Sequence, residues 1–273
     1  MRVKLLSPAK INQTLKILAY NKFEKKHQLR SKVNILKLAD EITISNSKKL
    51  TINYYYNKKK IIIQNDIIYK TIKFFDQKYF KSSNFKIKIK KNIPIGYGLG
   101  GGSSNAATIL KFLYKYYNLS DLSFYKDAPF IGSDVLLFIN QSPKIIDGLK
   151  KARSIFNSIN KPARWKKVFL IFPQKKNITK AIFQEYLNKK NKYLKLTKVK
   201  NDLIYAAFDK NKEMKKIYNF MNDLRVNFKN FGMTGSGSCL FVSYKSISAE
   251  KTINTLFSVY FPFVRIEKTY YFG

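Results

Sequence analysis

The chain is short of cysteine, acidic residues, arginine and long apolar runs, and each shortage excludes a class of protein. A single cysteine, Cys239, among 273 residues leaves no intramolecular disulfide. It lies in the apolar stretch Ser238-Cys239-Leu240-Phe241-Val242, which reads as a buried thiol in a reducing compartment. No apolar run nears the roughly 18 residues of a membrane span; the best stretches, residues 135–139 and 168–173, have strand length. Lys4, Lys10 and Lys16 are spaced through the N-terminus without a small-residue cleavage site, so neither a signal peptide nor a transit peptide is indicated. A cytoplasmic protein with no membrane partner is expected.

Acids number 16 against 53 basic residues, a formal charge of +37. Such an excess suggests nucleic acid, because cations that neutralise phosphates release counterions. However, 47 of the 53 are lysine and 6 are arginine, whereas base-edge and phosphate recognition favours the bidentate guanidinium. The lysines are spread over the whole chain beside many Ile, Asn, Tyr and Phe, the pattern of a coding bias toward A and T. Most are read as a solvated face, screened beyond about 8 Å at physiological salt, and no specific nucleic-acid partner is expected. The hydrophobic fraction of 45% with 15% aromatics suffices for a packed core.

Neither an internal repeat nor a Gly/Ser/Pro linker divides the chain. Residues 42–45, 50–56 and 60–63 read as strands, and a helical pattern starts at Asn65 with Ile68, Ile72 and Phe75 on one face. Phe85-Lys86-Ile87-Lys88-Ile89-Lys90 alternates strictly, the mark of a strand in an antiparallel sheet with one buried and one wet face. Ala106, Ile109, Leu110, Leu113 and Tyr117 predict an amphipathic helix over 104–117. Further on come a strand at 168–172, a helix at 179–187, a Lys/Asn-rich variable region at 188–200 and a helix from Leu203. A final strand pair at 239–244 and 263–268 brackets another helix. The fold class is α+β, in two domains, 1–155 and 156–273.

The most informative stretch is Pro94-Ile95-Gly96-Tyr97-Gly98-Leu99-Gly100-Gly101-Gly102-Ser103-Ser104-Asn105-Ala106-Ala107. Five of the 11 glycines fall within seven positions here. Glycines let backbone N–H groups turn inward, and the helix that follows adds its positive end, so a polyphosphate is the expected ligand. Ser103 and Ser104 are placed to cap that helix, or to touch phosphate or a magnesium ion. Gly96, Gly98 and Gly101 match the dinucleotide pattern G-x-G-x-x-G, but the preceding strand alternates with lysine rather than being apolar throughout. The Walker pattern fails because no Lys-Ser or Lys-Thr follows the last glycine.

This loop resembles the second motif of the GHMP kinases, and three more segments agree in order and spacing. They are Ser7-Pro8-Ala9-Lys10-Ile11-Asn12, Gly132-Ser133-Asp134-Val135 and Gly232-Met233-Thr234-Gly235-Ser236-Gly237-Ser238. Together they resemble the branch that phosphorylates 4-diphosphocytidyl-2-C-methyl-D-erythritol in isoprenoid precursor synthesis. The resemblance implies a two-lobed fold with the active site in the cleft between lobes, ATP and Mg²⁺ as cofactors, and a cytidine diphosphate-linked methylerythritol as substrate. It implies that residues 94–104 hold ATP, that Asp134 is the general base, and that Lys10 keeps Asp134 ionised and steadies the incoming phosphoryl group. On residues alone Asp134 is one of 16 acids and Lys10 one of 47 lysines.

By the same resemblance His27, the only histidine, hydrogen-bonds cytosine, Phe183 stacks on it, and Asn12 and Gly235 contact substrate. A neutral imidazole both donates and accepts, which suits a pyrimidine edge. An exposed histidine in a basic loop, and a core role for Phe183, are the alternatives. The chain departs from the family pattern at Glu24-Lys25-Lys26-His27, where Lys26 replaces an aromatic and is a candidate for the diphosphate. It departs again at Leu136-Leu137-Phe138 and at Asp147-Gly148-Leu149-Lys150. Another GHMP kinase with a different alcohol acceptor, or a nucleic-acid-binding protein on a related fold, are the competing readings.

Overall fold

The computed structural model describes residues 1–21, 26–138, 144–147, 152–154, 164–196, 199–224 and 230–273. In chain order the strands are β1 (Arg2–Asn12), β2 (Lys16–Asn21), β3 (Lys26–Asn46), β4 (Thr51–Tyr56), β5 (Lys59–Ile61), β6 (Phe85–Lys91), β7 (Lys144–Asp147), β8 (Ala152–Ser154), β9 (Trp165–Phe172), β10 (Asn230–Met233), β11 (Leu240–Ser243) and β12 (Arg265–Phe272). The helices are α1 (Ile67–Tyr79), α2 (Gly101–Tyr116), α3 (Asp121–Ile131), α4 (Thr179–Leu194), α5 (Ile204–Lys210), α6 (Lys212–Asp223) and α7 (Ile247–Tyr260). Packing gathers Met1–Ala9, Lys37–Pro94 and Gly100–Gln141 into a first unit, and Lys10–Leu36, Ile95–Leu99 and Ser142–Gly273 into a second. The expected boundary between residues 155 and 156 lies outside the described residues.

In the first unit, β6 pairs antiparallel with the second half of β3, from Glu41 opposite Lys90 to Asn46 opposite Phe85. Its other edge pairs with β4 in parallel, and β5 closes antiparallel on β4. The expected antiparallel setting thus holds on one edge of β6 only: α1 lies in the connection from β4 and carries the chain back, as a parallel pair requires. The alternation of β6 is as read, with Phe85, Ile87 and Ile89 buried and Lys86, Lys88 and Lys90 exposed. Lys91 continues the buried phase.

Helix α1 starts after Asp66, whose carboxylate accepts the N–H groups of Ile68 and Tyr69. Asn65, expected to open it, has φ +52° and stays outside. Helix α2 starts at Gly101, three residues earlier than expected, with Gly100 as N-cap at φ +71° and no side-chain cap. Ser103 and Ser104 therefore do not cap it. Ile109, Leu110, Leu113 and Tyr114 form its buried stripe, against α1, α3 and the 3₁₀ turn Val135–Phe138. Helix α3, capped by Ser120, was not expected.

In the second unit, β10, β11, β9 and β12 form an antiparallel run in that order, and β12 meets β3 at Tyr271 and Leu36. The strands expected to pair with each other near the C-terminus, β11 and β12, are separated by β9. Helix α4 continues seven residues past its expected end at 187. Its Lys/Asn-rich turns are held by Lys189 to Glu185, 2.6 Å, and by Tyr193, which is buried and donates to Asp209 at 2.8 Å. Phe169, Ile171, Ile182, Tyr186, Ile217, Met233, Val242 and Phe257 belong to the core. Cys239 is a buried free thiol whose ionisation is pushed up by desolvation. Among the described residues no helix is long and apolar enough to cross a membrane.

Candidate active site

Three of the four sequence motifs meet inside the second unit. Lys10, 4% exposed, donates its N–H to the Leu99 carbonyl at 3.0 Å and its ammonium to Asn12 Oδ1. The backbone N–H of Asn12 donates to Thr234 Oγ1 at 3.0 Å, and its amide Nδ2 donates to Ser31 Oγ at 2.7 Å. Thr234 Oγ1 lies 3.3 Å from both Asn12 Oδ1 and the Gly98 carbonyl. Residues 222 and 136 positions apart are thus locked into one polar knot. Asn12 thus accepts from the ammonium while its own backbone and amide N–H groups are also paired.

The glycines are required where the backbones touch. Gly98 has φ +74°, and a Cβ there would fall 2.7 Å from the Thr234 carbonyl, closer than atoms approach. Gly235 has φ +59° and lies against Gly98 and Asn12 Oδ1; Asn201 Nδ2 holds its carbonyl at 2.9 Å. Tyr97 anchors the same loop segment by donating to the Pro173 carbonyl at 3.0 Å and meeting Phe172 edge-on. Lys176 lies beside Gly96 and 5.4 Å from the Tyr97 ring centre. Thr234, Asn201 and Lys176 were not singled out from sequence. Only Thr234 lay within a quoted motif.

In the first unit Pro94 ends the strand-side approach and Gly100, Gly101 and Gly102 open α2. Gly102 is exposed and Ser103 partly so, while Ser104 is wholly buried and its Oγ accepts from Ser7 Oγ at 2.8 Å. The turn opens on Gly101 and Gly102, which carry no Cβ, and fits a polyphosphate at a helix N-terminus. Ser103 is the partly exposed hydroxyl of this turn, whereas Ser104 faces the interior. Asp134, half-buried, directly precedes the 3₁₀ turn, and its carbonyl accepts from Leu137 N at 3.1 Å.

Two of the residues expected to contact substrate, His27 and Phe183, sit together in the second unit. His27 lies opposite Tyr20 in the β2–β3 pair, with ring centres 5.0 Å apart. On its other side Phe183 of α4 is near-parallel at 6.0 Å. Desolvation first, and the charge of Lys190 second, lower the His27 pKa below 6.5, so the ring is neutral at pH 7 and keeps one donor and one acceptor. Tyr20, 51% exposed, is an aromatic that sequence order concealed. Glu24, Lys25 and the side chain of Lys26 lie outside the described residues, as do residues 148–150.

Comparison with known proteins gives the family. Residues 66–139 match the GHMP kinases N terminal domain, a span that includes α1, the glycine loop, α2, α3 and Asp134. A 4-diphosphocytidyl-2-C-methyl-D-erythritol kinase of Sulfurihydrogenibium sp. (strain YO3AOP1) is 31% identical over 87% of this chain and 90% of its own. That of Pelagibacter ubique (strain HTCC1062) is 33% identical over 91% of each. Among solved structures, a 4-(cytidine 5'-diphospho)-2C-methyl-D-erythritol kinase superposes with TM-score 0.73 at 20% identity, covering 99% of this chain and all of the other. The mevalonate kinase of Methanococcus jannaschii shares the fold at TM-score 0.61 and 18% identity, covering 98% of both chains. With the identity spread over about nine-tenths of its length, this chain belongs to the 4-diphosphocytidyl-2-C-methyl-D-erythritol kinase family of the GHMP kinases.

Proposed function

We propose that Asp134 and Lys10 carry the chemistry of this chain, an ATP-dependent small-molecule kinase of isoprenoid precursor synthesis. The acceptor is the 2-hydroxyl of 4-diphosphocytidyl-2-C-methyl-D-erythritol. Its oxygen attacks the γ-phosphorus of ATP, its proton passes to the Asp134 carboxylate, and ADP leaves with the electrons of the broken P–O bond. Lys10 supplies positive charge toward the oxygens between which the phosphoryl group moves. The observation that carries this reading is the polar knot of Lys10, Asn12, Thr234 and Gly98, which fixes the ammonium against the glycine loop.

ATP fits the loop because its glycines leave the N–H groups at the start of α2 unobstructed. Magnesium, carried on the ATP phosphates, would supply charge neutralisation. Ser103 is the α2 side chain placed to meet it, and such an ion is held mostly by phosphate oxygens and water. Neutral His27 reads the cytosine edge and Phe183 stacks on the base. A free, buried Cys239 suits the reducing cytoplasm, where we place the enzyme.

The test is ADP release by the purified protein with Mg²⁺ and ATP, with and without this substrate, beside Asp134→Ala. Release that depends on the substrate, and falls roughly 10³-fold in the variant while ATP still binds, is expected. Binding of ATP without stimulation by this alcohol would remove the acceptor assignment.

A further inference from the structure

A second lysine is drawn into the interior, under the start of α2. Lys91 has a side chain 6% exposed and pairs with Asp40, whose side chain is 0% exposed. Asp40 also accepts the backbone N–H groups of Asn92 at 2.8 Å and Ile93 at 2.9 Å, and Asn105 Nδ2 at 2.9 Å. Asn105 in turn accepts from Lys91 at 3.0 Å and donates to Ser7 Oγ at 2.8 Å, and Ser7 donates to Ser104. One carboxylate therefore grips both the segment that leads into the glycine loop and the first turns of the helix that leaves it.

The charge arrangement is unusual for a purely structural device. A Cβ at Gly101 would lie 3.3 Å from Lys91 Nζ, so the ammonium sits against the first residue of α2. Paired with Asp40 it adds no net charge there, so a polyphosphate at this end would be favoured by the helix dipole and the unpaired N–H groups of the first turn, which the pair holds in place. A buried ion pair is also no better for stability than well-packed apolar residues of the same size. What the pair supplies is a fixed geometry at the base of the anion site.

We propose that Lys91, Asp40 and Asn105 are positioning residues for the donor phosphates: they set the N-terminus of α2 at the height and angle at which its N–H groups meet ATP. The proposal rests on the reading of the glycine loop as the ATP site. None of the three residues touches substrate; each acts through the backbone of residues 92–93 and 101–105.

The experiment measures ATP dissociation constants by calorimetry in the absence of acceptor, each protein held the same interval below its own melting temperature. Wild type, Lys91→Met, Asn105→Ala and the neutral pair Lys91→Met with Asp40→Asn are compared. Lys91→Met is expected to weaken ATP about tenfold and lower the melting temperature. The neutral pair recovers much of the melting temperature but keeps weak ATP binding. Asn105→Ala leaves the ion pair intact but cuts its tie to α2 together with the bond to Ser7, and weakens ATP about fivefold. ATP affinity within about twofold of wild type in Asn105→Ala, or its recovery in the neutral pair together with stability, overturns the proposal. A wild type that does not bind ATP overturns instead the reading of the loop, and substrate-dependent turnover separates that failure from a wrong acceptor.

Discussion

Among the described residues two lysines of this very basic chain are buried, and they serve different parts of the glycine loop. Lys91 meets a carboxylate that is saturated by an ammonium, an amide and two backbone N–H groups. Lys10 is held by the neutral amide of Asn12, inside a knot of hydroxyl and carbonyl groups. The ammonium tied to a saturated carboxylate acts on the chain around it. The one beside a neutral side chain is tied through Asn12 and Thr234 to the carbonyl of Gly98 in the glycine loop. Lys86, Lys88 and Lys90 show a third option, lining the wet face of β6.

The sharpest way to break this comparison is to remove each ammonium. Lys10→Met is expected to lower kcat by roughly 10²-fold or more with a small change in ATP affinity, whereas Lys91→Met changes ATP affinity and stability first. Steady-state kinetics with each substrate varied would show the split, and equal patterns in the two variants would erase the distinction. The next largest effect is expected at the backbone contact. Gly98→Ala forces a Cβ into the Thr234 carbonyl at a positive φ and is expected to cost about 2–3 kcal/mol by thermal or urea unfolding.

A smaller effect concerns pH. The folded pKa of His27 lies below its ordinary 6.5, so the neutral ring proposed to read the base persists above that value. KM for the cytidyl substrate should be flat above about pH 6.5 and rise as the pH falls through the lowered pKa, and His27→Gln should flatten the profile. The same sign holds for stability: because the unfolded histidine binds a proton more readily, its contribution is complete above 6.5 and declines as pH falls toward the folded pKa. Smallest of all is the exposed pair of Lys90 and Glu41, 2.7 Å apart across β3 and β6. Glu41→Gln should change stability by no more than about 0.5 kcal/mol, in contrast with any change at Asp40.

Much of the core could be read from local pattern. The alternation of β6 placed Phe85, Ile87 and Ile89 inside, and its phase also placed Lys91 there, a signal that a lysine-rich composition masks. Strand β3 was read only at its end, because Arg30, Lys32 and Lys37 interrupt the apolar period that marks a half-buried strand. Helix α4 was cut short at 187 because Asn and Lys read as loop, whereas Glu185, Asp209 and Tyr193 hold the later turns by contacts outside any local window.

By itself the sequence determined the buried stripes, the free thiol, the glycine loop that opens a helix and, through four ordered motifs, the family. Only the tertiary structure decided that Lys10 and Lys91 are buried, that Ser104 turns inward while Ser103 stays partly exposed, and that Tyr20 stands beside His27. It also joined Asn12, Gly98 and Thr234. The physical reason is that periodicity fixes a residue's face within its own element, whereas the partner waiting on that face comes from strands and loops far away in the chain.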